Sequence, residues 1–348
     1  MNDGTTQSRI EIVEERDPET YDEVLARSPH GNPLHRYEAL EVMERHSDAT
    51  AHPLVGYEGD EPVGVFPAFE VRKAGVKAAF SPPPYLWIQY LGPVVADGDD
   101  LDQQGFEARH LGFVEACLDW LESEINPRYV HVHTDPRYDD PRPFAVNDFD
   151  VRPRYTYEVD LTMDRDDLLM TFASDARSNV RLGEDIDYEV REGDAEDAAW
   201  IIEQVEQRYA EQGKSYGLPP RMVADLYERL PDGAIRPYVV SVEGEPEGGM
   251  VAPDDGDTVY RWQGGAKTDA DAPVNDLLDW HIMCDAMDRG VECYDLVGAE
   301  NERINRYKSK FGPELSAYYT LERSSKPFQF AAGLYDQLSN LNQLGDLK

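Results

Sequence analysis

With 348 residues, 41% of them hydrophobic, the chain can bury two cores of ordinary domain size, which excludes a single small module. Seventy Asp and Glu against 33 Lys and Arg leave a formal net charge of −37, a surface that repels itself at low ionic strength and is screened at ~1 M salt, where the Debye length falls to roughly 3 Å. The acid is spread along the chain without an acidic tail, so it reads as adaptation to a salty cytoplasm; DNA is excluded as a partner, and the 8 lysines are expected to cluster only for local reasons.

Two amphipathic helical stretches, 18–26 and 33–45, come first. An apolar run at 53–57, the turn Glu58-Gly59-Asp60-Glu61, a second run at 63–71 and strand-like segments at 78–80 and 86–95 follow. A long helix over 106–125, a break at Pro127 and a strand over 129–133 complete this half. The order then recurs: helices at 195–212 and 220–230, a strand at 238–242, the turn Glu243-Gly244-Glu245, and strands at 248–252 and 258–263. A helix at 274–289, a break at Gly290 and a strand at 293–297 close it, and the hairpins VGYEGDEPVGV and VSVEGEPEGGM are alike. Helix, helix, hairpin, strand, helix, strand written twice predicts a mixed α/β (α+β) chain of two tandem copies of one unit, each a mixed sheet flanked by helices. The Pro- and Asp-rich stretch DPRYDDPRPF sets the boundary near 148–153, with a new strand at 155–161, giving domains at 1–150 and 151–325. Apolar residues at Phe328, Ala331, Leu334, Tyr335, Leu338 and Leu341 predict a C-terminal helix within 326–348 that packs on the body.

Cys117, Cys284 and Cys293 lie far apart with no CxxC or His–Cys spacing, and read as reduced core thiols. The N-terminus lacks the basic and apolar regions of a signal peptide and no run approaches the ~18 apolar residues of a membrane span, so a cytoplasmic protein without integral membrane association is expected. His131, His133 and Asp135 alternate as metal ligands on a strand could, but nothing completes the set, and the reading adopted is an ordinary sheet edge with no metal. No GxSxG, P-loop or paired-glycosidase signature supports a hydrolase or a kinase.

Residues 278–323 resemble the C-terminal signature of the FemAB-like aminoacyltransferases and their acetyltransferase relatives in the GNAT superfamily. That signature runs helix, Gly, a strand ending in Tyr-Asp-x-x-Gly, a basic helix closing in Lys-x-x-Phe-Gly, and a final strand; it is matched at Gly290, Tyr294, Asp295, Gly298, Lys308, Phe311 and Gly312. SPPPYLWIQYLGPVV (81–95) resembles the family's first-domain segment ending in Gly-Pro, and SDARSNVR (174–181) its basic opening of the second domain. The resemblance covers nearly the whole chain and implies tandem GNAT-like domains, without the long coiled-coil arm of members that transfer amino acids from tRNA.

Arg303, Arg306, Lys308 and Lys310 place four cations within eight residues with no acid among them. At helical spacing Arg303, Arg306 and Lys310 share a face suited to a phosphate or carboxylate, the bland alternative being cations that neutralise nearby acids. The resemblance implies that Lys308, Lys310 and Phe311 hold the donor or stabilise the leaving group. It makes Asp295 a candidate for orienting the nucleophile, with a cap for the following loop as the equal alternative. Arg177 and Asn179 are carried as substrate binders beside a salt-bridged-helix alternative, and Tyr216 and Tyr260, with Tyr294, as lining of an acceptor groove. Arg261-Trp-Gln-Gly264-Gly265-Ala266 fits the loop by which GNAT enzymes present backbone N–H groups to coenzyme A, but Asp269, Asp271 and Pro273 intervene before the helix. The donor is left open between acyl-CoA and aminoacyl-tRNA. The function read here is acyl transfer, of N-acetyl- or aminoacyl-transferase type, to an amine of a small molecule or cell-envelope precursor; the alternative is a noncatalytic ligand-binding protein.

Overall fold

The computed structural model describes residues 9–28, 30–96, 101–266, 272–299 and 301–325; the expected C-terminal helix lies outside the described residues. The chain falls into two compact units. One runs to Pro84, over Ile88–Pro153 and again from Tyr318; the other holds Tyr85–Trp87 and Arg154–Ala317.

In the first unit, β1 (Ile10–Glu14), α1 (Pro18–Leu25) and α2 (Tyr37–Arg45) precede the hairpin of β2 (Ala49–Glu58) and β3 (Glu61–Lys73). Asp17 starts α1 by accepting the Thr20 amide, and a proline occupies the helix's first turn, where no amide partner is lost. Then come β4 (Val76–Ser81), β5 (Val94–Val95), α3 (Gln103–Trp120), β6 (Tyr129–His133) and α4 (Arg142–Ala145). β4 and β6 are parallel neighbours with α3 as the crossover between them. Leu54, Val63, Phe66, Phe113, Val114, Leu118, Val130 and Val132 form the core between sheet and helix.

The strand expected over 86–95 is not formed as one element: Val94–Val95 pairs with β3 at Gly64 and Val65, and Leu91 makes an isolated bridge to Thr134. Pro82, Pro83 and Pro84 carry no amide donors, and Tyr85 and Trp87 take positive φ (73° and 54°), which no ladder accommodates. Single contacts hold the segment instead, Gly92 N on Ser81 Oγ (3.0 Å) and Leu91 N on the His133 carbonyl (3.1 Å).

β7 (Asp150–Asp160) leads into the second unit, followed by α5 (Arg165–Thr171), α6 (Ser174–Leu182), β8 (Tyr188–Glu192), α7 (Ala195–Glu211), α8 (Pro220–Arg229), β9 (Ile235–Val242) and β10 (Glu245–Pro253). β11 (Thr258–Tyr260), β12 (Gln263–Ala266), α9 (Val274–Arg289), β13 (Cys293–Asp295), α10 (Glu302–Lys308) and β14 (Glu314–Ser324) follow; the second half of β14 pairs with β6 in the first unit. β8, β9, β10 and β12 form an antiparallel sheet, while β13 pairs antiparallel to β7 and parallel to β11. The strand expected over 258–263 is thus two strands with different partners. Leu168, Phe172, Val240, Met250, Leu278, Ile282, Tyr294 and Phe311 make the core. The architecture is the mixed α/β one predicted, and in each unit a helix, α3 or α9, crosses between two parallel strands.

Candidate functional site

The parallel pair β11 and β13 lasts three residues, Thr258 to Tyr260 against Cys293 to Asp295, and then parts. Arg261 N still reaches the Asp295 carbonyl (2.8 Å), but β12 turns to β10, whereas Leu296 N bonds the Tyr157 carbonyl on β7 (2.8 Å). α10 is set beside this splay. Asn301 caps it by accepting the Arg303 and Ile304 amides (3.0 and 3.2 Å), and Gly312, at φ 68°, ends the turn that follows.

Lys308, the last residue of α10, is 6% exposed. Its Nζ donates to the carbonyls of Val297 (2.7 Å) and Gly298 (2.8 Å). Burial, reinforced by the Arg261 guanidinium, pulls the ammonium down to about 7, although Asp295 and Asp279 act the other way. Val297 is β-branched yet sits at φ 54°, a strain on the order of 1–3 kcal/mol. Asp295 helps to hold it. Its Oδ1 accepts the Thr156 hydroxyl (2.5 Å) and the Val297 amide (2.6 Å), and the Thr156 hydroxyl in turn accepts the Gly298 amide (2.9 Å). Asp295 therefore shapes the loop that presents two carbonyls to Lys308.

Beneath lies Asp279 of α9, with no exposed surface. It accepts Arg261 Nε (2.8 and 3.1 Å), the Tyr294 hydroxyl (2.7 Å) and the Tyr307 hydroxyl (2.5 Å). One turn earlier, Asp276 accepts Lys310 Nζ (2.5 Å) and Asn179 Nδ2 (2.6 Å). Asp276, Asp279, Arg261 as an ion-pair member and Tyr307 were not among the residues expected from sequence. The available signal was two carboxylates at i and i+3 on a helix whose other buried positions, Val274, Leu277, Leu278, Ile282, Met283 and Ala286, are apolar.

The four-cation face takes a different form from the one expected, because α10 stops at Lys308 and the chain tightens into a 3-10 turn over Ser309–Phe311. Arg303 and Arg306 are exposed, the latter 3.6 Å from Glu302. Lys310 leaves that face: it pairs with Asp276 and lies 4.2 Å from the centre of the Tyr307 ring. Phe311 is a core side chain, edge-on to Phe172 and Tyr307 at 5.2 and 5.3 Å. Arg177 turns back to donate to the carbonyls of Phe172 and Met170 at the end of α5. Tyr216 stacks on Trp87 (5.2 Å) with its hydroxyl on Gln263 Oε1, and Tyr260 donates to Asp255 (2.9 Å). Lys308, Asp295 and Tyr294 are brought together, and Lys310 and Asn179 share Asp276.

The Arg261–Ala266 segment does not form a phosphate-cradling loop within the described residues. It is spent on β12: Ala266 N donates to Asn275 Oδ1 (2.8 Å), and the Gly265 carbonyl accepts Arg208 Nη1 (2.7 Å). Gly264 is needed for packing, since a Cβ there would stand 2.2 Å from the Gly249 carbonyl oxygen. His131 and His133 face each other at 2.9 Å between Nε2 atoms, while Asp135 turns to Asn32 and Arg137. Among the described residues no group of three His, Cys, Asp or Glu could hold a metal ion, and no helix is long and apolar enough to cross a membrane.

Residues 171–309 match the family model of the acetyltransferase (GNAT) domain. No curated protein matches the chain in sequence. Among solved structures, FemX is similar over 89% of this chain and 96% of its own, at 14% identity and a TM-score of 0.68. L-PGS from Bacillus licheniformis is similar over 91% of this chain and 95% of its own, at 13% identity and a TM-score of 0.56. At these identities the likeness is one of fold.

Proposed function

We propose that this chain, whose second unit carries a GNAT acetyltransferase domain, moves an acyl group from a thioester or ester to an amine with Lys308 at the reacting carbonyl. The observation that carries the reading is the hydrogen-bond count at Lys308. Two of its N–H bonds are spent on backbone carbonyls, so the charged amine keeps a third for a developing oxyanion in a site poor in water, where such a contact is strongest. The acceptor nitrogen attacks the acyl carbon, the C–N bond forms, the C–S or C–O bond breaks, and the proton lost by nitrogen ends on the leaving group. An amine poised near neutrality suits both the stabilising and the proton-passing part of this step. The acceptor class is an amine-bearing small molecule or cell-envelope precursor, as the resemblance of residues 278–323 to the FemAB-like signature implies.

A second reading, a ligand-binding protein without turnover, is favoured by one observation: the last amide of the glycine segment is already taken by Asn275. Incubation in molar KCl with acetyl-CoA or with aminoacyl-tRNA and a panel of amines, followed by mass spectrometry, separates the two. Turnover that falls about 10²-fold in Lys308→Met and persists in the exposed-lysine control Lys73→Ala supports transfer at this site. Donor binding without turnover supports the second reading, and equal turnover in all three proteins removes Lys308 from the reaction.

A further inference from the structure

We propose that Asp279 and Arg261 are positioning residues for Lys308: one buried carboxylate fastens the elements around the amine, and the opposed charges of the pair bias, within that buried setting, how readily the amine keeps its proton. The inference rests on the reading of Lys308 as the reacting group. Asp279 reaches the break between β11 and β12 through Arg261, β13 through Tyr294, and α10 through Tyr307. Tyr294 immediately precedes Asp295, whose loop supplies the two carbonyls, and Tyr307 immediately precedes Lys308. Two of the three ties thus end one residue from a part of the site. Arg261 also lies against the Tyr307 ring, with its guanidinium carbon 5.4 Å from the centre, so the pair and the helix end form one packed group.

The bonding of Lys308 leaves its charge open to control. Both hydrogen bonds of its Nζ go to neutral carbonyls, and a neutral amine still has two hydrogens for them, so loss of the proton breaks neither. Burial is the largest influence on that charge, and groups at longer range adjust it. Arg261 from the strand break disfavours the ammonium, while Asp295 from β13 and, more weakly, Asp279 from α9 favour it. Lys310 contrasts with this, because its Nζ is bonded directly to the Asp276 carboxylate.

Substituting each member of the pair should move the titration of Lys308 in opposite directions, which loss of packing alone would not do. The probe is the protein itself, labelled with 13C-lysine in molar KCl, with the Cε shifts followed against pH and the Lys308 signal assigned by its loss in Lys308→Met. The wild-type midpoint is expected near neutrality. Asp279→Asn should lower it by roughly one pH unit, Arg261→Gln should raise it by a similar amount, and Asp279→Glu and Arg261→Lys should restore it. Midpoints that stay fixed, or that move the same way in both variants, overturn the inference. If Asp279→Asn does not fold, Arg261→Gln against Arg261→Lys decides alone, a midpoint raised only in the former being required. Fixed midpoints with transfer abolished in Lys308→Met would sink this inference and leave the functional reading standing. Opposed midpoints with transfer intact in Lys308→Met would do the reverse.

Discussion

A lysine that keeps its amine out of water carries the folding cost of its own charge. The Lys308 ammonium is pulled from an ordinary 10.5 to about 7 by burial first and by Arg261 second. Between those values the unfolded chain binds a proton that the folded chain lacks, so stability rises with pH across this window. The penalty is fully present below 7, on the order of 5 kcal/mol, and is gone above the unfolded value. The unfolding free energy of wild type minus that of Lys308→Met, measured in urea and molar salt, is therefore expected to grow by roughly 1.4 kcal/mol per pH unit from about pH 7 to about pH 9. The difference cancels the tyrosines and cysteines common to both proteins. A pH-independent difference would mean that Lys308 reaches solvent. Lys310, paired with the almost buried Asp276, has a structural duty as well, since losing one partner of such a pair leaves the other charge desolvated.

At the scale of elements, Gly312 decides where α10 ends and β14 begins. It sits at φ 68°, and a Cβ there would stand 2.7 Å from Thr171 Oγ1 and 2.8 Å from the Thr171 carbonyl oxygen. The hydroxyl can swing away, but the carbonyl cannot. Gly312→Ala is expected to cost about 3 kcal/mol, combining the left-handed backbone with the clash. Gly59→Ala, at φ 67° with nothing within 4 Å, should cost only about 1 kcal/mol in the same urea titration. Equal losses would show that the contact with α5 yields freely.

The contrast also explains what could be read from sequence. α9 occupies the predicted residues 274–289, and the hairpins fall where the Gly turns put them, because periodicity and turn chemistry are local. The break between β11 and β12 was not legible, since it depends on β10 and β13 competing for one strand from distant parts of the chain. Residues 303–310 read as one cationic face only while the helix was assumed to continue past Lys308. Lys308 and Asp295 were visible through a motif. Asp279 was not, because its partners come from 15, 18 and 28 residues away and no spacing rule links them.

For the whole molecule, the net charge of −37 sets which interactions salt can reach. Surface pairs such as Arg152–Asp150 and Arg165–Asp288 are half exposed and are worth about 0–1 kcal/mol each, so they cannot offset repulsion among acids that outnumber the cations by 37. The Arg261–Asp279 pair, with side chains 15% and 0% exposed, is largely shielded from mobile ions. Raising KCl from about 0.1 M to about 3 M should therefore screen the destabilising surface and spare the buried pairs, so the thermal midpoint is expected to climb steeply. Screening can be separated from a general solvent effect with Glu203→Gln/Glu206→Gln/Glu245→Gln, which removes three charges at exposed positions. If repulsion is the cause, this variant should melt above wild type in low salt and converge with it in molar KCl. A midpoint that ignores salt, or a variant whose advantage persists unchanged at about 3 M, would mean that the acidic surface stabilises the fold by some means other than screening.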